Sequence, residues 1–419
     1  MSNVRKRSVR RMTYFAFAAL LSMPCLASAD EVFTVRNTIA IPGNPLVSFD
    51  ISWDDPLLHA YFLADRSNKS IDVIDTFSHA VIHQFMPGFV GFTGNNNTSG
   101  PNGVMTINNR GQIEVWAGDR NSTVKVLAYP SGTLLHTIST GGTMRADEMC
   151  YDPVNHLVQV ANDADSPPYI NFIATEGPKA YQVVAKIPVP DATNGLEQCQ
   201  WSERTGLIYA NVPEINGSGN DTTDGAVLVI DPHTMPPKVV RKFDIPVAQC
   251  AGPQGMAIGP LGQILLGCNA IYPFDANCSA VVACPAGTVQ NAAVIDEDTG
   301  RIIRVLQNEG GADEVWYNRG DGHYFLADGS HLPNEQLGIV DSFPLIQPDP
   351  TVVIGNAGTS THRAHSVAAD AFTNEVYLPV PATGGGSPAS STGFTSTVCG
   401  ALAAQGCIAV YKSNEPRTR

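Results

Sequence analysis

The chain has 419 residues, with 25 Lys and Arg against 39 Asp and Glu, for a formal charge of −14. A balance that acidic repels nucleic acid and anionic membrane surfaces, which excludes those partners and leaves cations, neutral molecules or proteins. Only 15% of residues are charged, while Gly numbers 38 and Pro 30, a composition of many short turns rather than long helices.

In chain order, "MSNVRKRSVRRM" carries five basic residues and no acidic one, "TYFAFAALLSMPCL" is apolar, and "ASA" offers small residues before Asp30. This order predicts a secretory signal peptide over 1–29, cleaved after Ala29, and hence a periplasmic or secreted protein. The Arg10–Arg11 pair leaves the general and twin-arginine export routes both open. No later segment reaches the roughly 18 apolar residues of a membrane helix, so no integral membrane segment is expected. Cleavage would remove five basic residues and no acidic one, leaving 20 − 39 = −19, on a chain expected to be a monomer.

Loss of Cys25 leaves eight cysteines, an even number in an oxidising compartment, which implies disulfides. Cys278 with Cys284 and Cys399 with Cys407 are close enough in sequence to clip loops. Cys250 with Cys268 and Cys150 with Cys199 can form the rest, although spacing alone does not fix connectivity. No Cys-x-x-Cys-His occurs, which excludes covalent c-type haem.

Beyond the leader, short apolar runs recur between turn residues: "IDVID" (71–75), "VLVID" (227–231), "AAVID" (292–296) and "LGIVD" (337–341). They belong to a repeat, since "YFLADRSNKSIDVID" (61–75) matches "YFLADGSHLPNEQLGIVD" (324–341) and "WAGDRNSTVKVLAYPSG" (116–132) has the same outline. Counting back 14 residues from the small residue or Pro at the end of each second strand marks Asp50, Gly103 (with Asn102 beside it), Asp147, Asp313 and His365. An offset of 13 marks Glu197 and Gln254. These seven positions are separated by 53, 44, 50, 57, 59 and 52 residues.

Each unit reads as four strands, the first opening at its marked position. Seven such units predict an all-β, seven-bladed β-propeller in one domain over 30–419. The last unit stops at its third strand, "CIAVYKSN". The segment "EVFTVRNTIAIPG" (31–43) precedes the first unit and supplies the missing strand, closing the ring and removing exposed sheet edges.

The stretch "YFLADRSNKSIDVIDTFSHAVI" resembles the repeat of the YVTN, or YncE-like, secreted bacterial propellers, in which a "YVTN"-like strand end leads through a small polar turn into a "V-x-V-I-D" strand. The resemblance covers most of the mature chain at the level of the repeat. It implies the fold and a ligand- or partner-binding role. Other chemistries sit on similar folds, including lactone hydrolysis, so the site has to be argued from its residues.

The first strand of each propeller blade lines the central channel, and the marked positions converge at one mouth. Long loops at 211–226, 268–290, 328–336 and 381–407 are expected at that same face, which makes it the working face for a small molecule or a protein. Asp50, Asp147, Glu197 and Asp313 are carboxylates, and a one-residue change of register turns Glu148, Gln198 and Glu314 inward instead. So many like charges need protons or a cation. Oxygen ligands suit Ca²⁺, and His365 also admits Zn²⁺, Mn²⁺ or Fe. The competing expectation is a water-filled channel whose polar mouth only solvates it.

Gln254 and Asn102 are ligand-binding candidates, as are Arg145 and Arg363, each two residues before a ring position. The arginines either bind an anionic ligand group or neutralise the ring, and Arg66 and Arg120 have the same two uses. Asp65, Asp119, Asp163 and Asp328 are expected to cap tight turns. His331 and His362 lie in or beside rim loops.

No Gly-x-Ser-x-Gly, His-Glu-x-x-His, phosphate-loop or dinucleotide fingerprint occurs. The expected function is therefore ligand or partner binding in the funnel, with a divalent cation held by the ring. The alternatives are a metal-dependent lactonase-like hydrolase, with Asp313, Glu148 or His365 as base, and an interaction scaffold without catalysis.

Overall fold

Seven antiparallel sheets, each built around four strands, stand in a ring in the computed structural model, which describes residues 31–278, 282–356, 364–383 and 395–414. The expected leader lies outside the described residues. The fold is a seven-bladed β-propeller. Blade 1, for example, runs through Ser52–Asp55, Ala60–Asp65, Ser70–Asp75 and Ala80–Phe85 in consecutive antiparallel pairs.

Burial explains the strand sequences. Every residue of Ala60–Asp65 is buried, because a second strand packs against neighbouring blades on both faces. It therefore reads as the continuous run "AYFLAD". Outer strands such as Thr133–Ser139 are mostly exposed and tolerate polar residues. The turn joining first and second strands recurs as an Asx turn. Asp55 accepts from the Leu57 amide at 3.0 Å, Asp152 from Val154 at 2.8 Å and Asp370 from Phe372 at 2.7 Å.

Closure is as expected. Phe33–Ile39 pairs antiparallel with Cys407–Ser413, running from Phe33 opposite Ser413 to Ile39 opposite Ile408, and supplies the outer strand of blade 7. All four disulfides match the candidate pairs, Cys150–Cys199, Cys250–Cys268, Cys278–Cys284 and Cys399–Cys407.

Blade 6 departs from the four-strand outline. Its third strand, Asn334–Asp341, pairs along one part with Gln347–Pro348 and along another with Val352–Asn356. Thr395–Ser396, from the 381–407 loop, then adds outside Val352–Asn356. The described part of that loop thus extends the outer edge of blade 6. Among the described residues no helix is long and apolar enough to cross a membrane.

Candidate functional site

The first strands start one to three residues after most of the marked positions, for example at Ser52, Met149 and Val315. The marked residues instead form the lead-in. The amides of Asp50, Asn102, Asp147 and Glu197 donate to the carbonyls of Ala64, Gly118, Ala161 and Asn211, at 2.9 to 3.1 Å. This equivalence corrects blade 2, where Asn102 and not Gly103 holds the ring position. A Cβ at Gly103 would stand 2.3 Å from the Asp147 carbonyl oxygen, so glycine there permits close approach of blades 2 and 3.

One cavity of about 100 Å³ collects the ring. Asp50, Asp147, Glu197, Gln254, Asp313 and His365 line it, and so do Glu148, Glu314 and Arg145. Both members of each Asp-Glu pair face this chamber. The register question therefore does not resolve into a choice, because two successive residues border the space at the strand lead-in. Gln198 behaves differently. Its side chain is tied to backbone of other blades, with Oε1 accepting from the Met256 amide at 2.5 Å and Nε2 donating to the Val315 carbonyl at 3.2 Å.

Half of the ring is laced by internal ion pairs. Arg66, fully buried, pairs with Asp50 and donates to Asn102 Oδ1 at 2.8 and 3.1 Å. Asn102 Nδ2 in turn donates to the Ala146 carbonyl at 2.9 Å. Arg145 reaches Asp147 at 2.7 Å, Asp163 at 2.8 Å and Asp50 at 3.7 Å. Of the two uses open to Arg145, the geometry shows neutralisation of the ring. Asp163 accepts from Arg145 rather than capping its turn, and Asp328 accepts from Gln336 Nε2 at 3.2 Å, whereas Asp65 and Asp119 do bond to backbone amides. Arg120 contacts its neighbour Asn121. Arg363 and His362 lie outside the described residues. His331 Nδ1 meets the Gly310 carbonyl at 2.7 Å.

His365 has both ring nitrogens engaged, Nδ1 with Asp313 Oδ2 at 3.0 Å and Nε2 with the Phe49 carbonyl at 2.9 Å. Burial disfavours its charge, but the Asp313 contact and nearby Asp50 outweigh burial, and the net shift is upward. An imidazolium donates at both positions. Metal ligation through either nitrogen would break one of these bonds.

The remaining carboxyls are strained by burial. It pushes Asp147, Glu197 and Glu314 well above the usual carboxylate range and Glu148 up to about 7. Glu148 and Glu314 line the chamber together, and each is among the causes of the other's shift. Asp147 Oδ1 and Gln254 Oε1 are buried without a hydrogen-bond partner among the described residues.

Farther along the same first strands the channel widens into a second chamber of about 330 Å³, which sequence reasoning missed. Trp53, Trp201, Trp316, Tyr151, Tyr317, Met105 and Met149 line it, together with Glu148 and Gln198. Trp53 and Trp316 meet edge to face, with ring centroids 5.4 Å apart. The larger cavity thus lies on the far side of the acidic ring from the mouth where the long loops were expected to work. A signal was present: three of the four tryptophans fall three or four residues after ring positions.

A third group lies apart from the channel wall. His323, Asp341 and Asp349 of blade 6 are buried, with one ligand atom from each within 4.8 Å of the others. Among the described residues this is the one His/Asp group that could hold a metal ion at that spacing. No spacing cue in the sequence marks it, because His323 and Asp341 lie at the ends of separate strands and Asp349 follows a third, Gln347–Pro348.

No family model matches the chain, and no curated protein matches it. Solved structures do. A chain of hydrazine synthase from Kuenenia stuttgartiensis aligns at 12% identity and TM-score 0.59, covering 81% of this chain and 94% of that one. A chain in a crystal structure of the mitotic checkpoint complex aligns at 13% identity and TM-score 0.57, covering 88% and 95%. At such identities the likeness speaks to fold alone.

Proposed function

We propose that this β-propeller is an exported binding protein that takes a small organic cation in its central channel, with the apolar body in the aromatic chamber and the cationic group at Glu148 and Glu314. The carrying observation is that Glu148 borders both chambers, so a carboxyl sits at the floor of a tryptophan-lined cavity. A cavity of about 330 Å³ falls within the range of small-molecule sites. Aromatic faces attract cations, and a carboxylate at the end of the aromatic wall adds charge complementarity. The resemblance to YncE-like propellers supports a binding role and export.

Charge counting points the same way. Asp50, Asp147, Asp163, Glu148, Glu197, Asp313 and Glu314 face or adjoin the ring against Arg66, Arg145 and the His365 ring. Asp50 and Asp147 are matched by the arginines, which leaves the Glu148 side with the surplus. The unpartnered Asp147 Oδ1 and Gln254 Oε1 add acceptor capacity. A divalent ion bridging ligand and ring, Ca²⁺ by its oxygen donors, is the inorganic version of the same binding.

Titration of tryptophan fluorescence with benzyltrimethylammonium, beside its uncharged carbon isostere, tests the reading. Saturable quenching by the cation is expected, weakened about tenfold or more in Glu148→Gln, since a hydrogen bond or ion pair to a charged group contributes ~1.5–3 kcal/mol. Equal response to the isostere, or none to either, rejects it.

A hydrolytic reading draws on one observation, the Glu148–Glu314 pair in one small chamber, with Glu148 held up at about 7. Such a pair can donate and accept a proton near neutrality. Asp313 and His365 are bonded to each other and less suited to that work. Turnover of aryl lactones or esters that is lost in Glu148→Gln would favour this reading over simple binding.

A further inference from the structure

The buried group in blade 6 gathers three carboxylates around one imidazole. His323 Nε2 stands 3.3 Å from Asp341 Oδ1 and 3.2 Å from Asp349 Oδ2, and Nδ1 stands 3.3 Å from Asp321 Oδ1. His323 has no solvent exposure, and the Asp341 and Asp349 side chains are at least 98% buried. At these distances an imidazolium would aim its N–H groups at the carboxylates. Neither ring nitrogen makes a hydrogen bond among the described residues, and neither oxygen of Asp349 does. The donor atoms come close without pointing at one another, as atoms do around a shared centre.

Donors held about 2.0–2.1 Å from a tetrahedral zinc ion lie ~3.3 Å apart along the edges of the tetrahedron. That is the spacing of Nε2 to the two Asp oxygens. Charge agrees. With a proton on His323 the three aspartates leave −2 in a buried site, while Zn²⁺ with neutral His323 leaves −1. Ca²⁺ prefers six to eight oxygen ligands, which an imidazole and two or three carboxylates in a closed core do not provide.

We infer that His323 Nε2, Asp341 and Asp349 bind one zinc ion, with Asp321, 3.3 Å from Nδ1 and bonded to the His323 backbone amide, as a positioning residue. A carboxylate near Nδ1 favours the proton on that nitrogen, which leaves the Nε2 lone pair for the metal. The ion is structural. His323 starts the second strand of blade 6, His323–Asp328; Asp341 ends the third; Asp349 follows Gln347–Pro348 on the divided outer edge. Phe33 of the closing strand packs edge-on against the His323 ring, centroids 5.4 Å apart. Zinc there fastens the irregular edge of blade 6 next to the strand that closes the ring. The site is separate from the channel and stands whether or not the channel binds a ligand.

The test is elemental analysis of the full exported chain, followed by chelator treatment and re-addition of Zn²⁺ or Co²⁺. The expected results are one zinc per chain, a lower melting temperature after chelation, recovery with Zn²⁺, and visible absorption from bound Co²⁺. Asp349→Asn should lose the metal, and Asp321→Asn should weaken zinc binding about 10–100-fold while keeping the fold. Asp313→Asn, in the channel, should keep full zinc content. A metal-free wild type whose melting ignores added Zn²⁺ overturns the inference, as does full zinc content in both Asp349→Asn and His323→Asn. Should those variants fail to fold, X-ray absorption of the zinc-loaded wild type decides: one imidazole with oxygen donors supports the site, and a shell without imidazole rejects it.

Discussion

Glu148 and Glu314, at the lead-ins to the first strands of blades 3 and 6, line the same acidic chamber, and Glu148 also borders the aromatic one. Two carboxyls buried in one small chamber repel each other when both are ionised. The pair therefore stores a proton, or yields its place to a cation.

This makes stability depend on pH in a predictable direction. Burial raises Glu148 to about 7, so between its unfolded value near 4.5 and about 7 the folded chain holds a proton that the unfolded chain has lost. Its contribution is fully present below about pH 4.5 and is lost as pH rises through 7. Denaturation of the wild type and Glu148→Gln at pH 5 and pH 8 checks this. The wild type should lose more stability over that interval, by on the order of a few kcal/mol, and the two proteins should converge toward pH 5.

Arg66 lies at the centre of the laced half of the ring. Arg66→Met leaves Asp50 buried beside an unsatisfied Asn102 carbonyl and should cost about 3–5 kcal/mol in chemical denaturation. Adding Asp50→Asn should recover part of that loss, because the buried charge that lost its nearest partner is then gone. A double variant no better than the single would place the role of Arg66 in packing instead.

The Cys150–Cys199 bridge joins the first strands of blades 3 and 4 in the wall of the aromatic chamber, across a sequence separation of 49. Constraint of a loop that long predicts about 4 kcal/mol from the unfolded state, so Cys150→Ala with Cys199→Ala should show a correspondingly lower denaturation midpoint. Cys278–Cys284 encloses only six residues in sequence separation, and its removal should matter less. Equal losses from the two removals would contradict the loop-length account.

Closure by Phe33–Ile39 predicts a defined failure when that strand is missing. A chain starting after Ile39 exposes the Cys407–Ser413 edge and its unpaired backbone groups. Such a chain should melt earlier and associate, visible as a concentration-dependent larger species in light scattering. A monomer with unchanged melting would show that blade 7 does not need its outer strand.

Much of the architecture was legible because it depends on local pattern repeated seven times. The runs at 71–75, 227–231, 292–296 and 337–341 are third strands or parts of them, and their spacing counted the blades. The unpaired segment at 31–43 announced the closure, since a strand without a hairpin partner must find a distant edge. The cysteine pairs were candidates in the sequence, Cys278–Cys284 and Cys399–Cys407 by proximity, but the pairing of the other four was left open and comes from the structure. Blade 2 was off by one residue because counting from Ala117 ignores the longer second strand, Gln112–Asp119.

The sequence by itself determined the seven blades, the closing strand and the convergence of Asp50, Asp147, Glu197, Gln254, Asp313 and His365 on one chamber, because the repeat places each ring residue 13 or 14 positions before the end of a second strand and leaves the last unit one strand short. Only the tertiary structure decided how those groups are spent. Whether Arg145 faces a ligand or Asp163, whether His365 keeps a free nitrogen, and whether Trp53 and Trp316 share a cavity depend on distances of a few ångströms between blades far apart in the chain. The His323, Asp341 and Asp349 cluster is the extreme case. Its members bear no offset to the repeat, and they meet only because the outer edge of blade 6 breaks the pattern by which the other blades could be read.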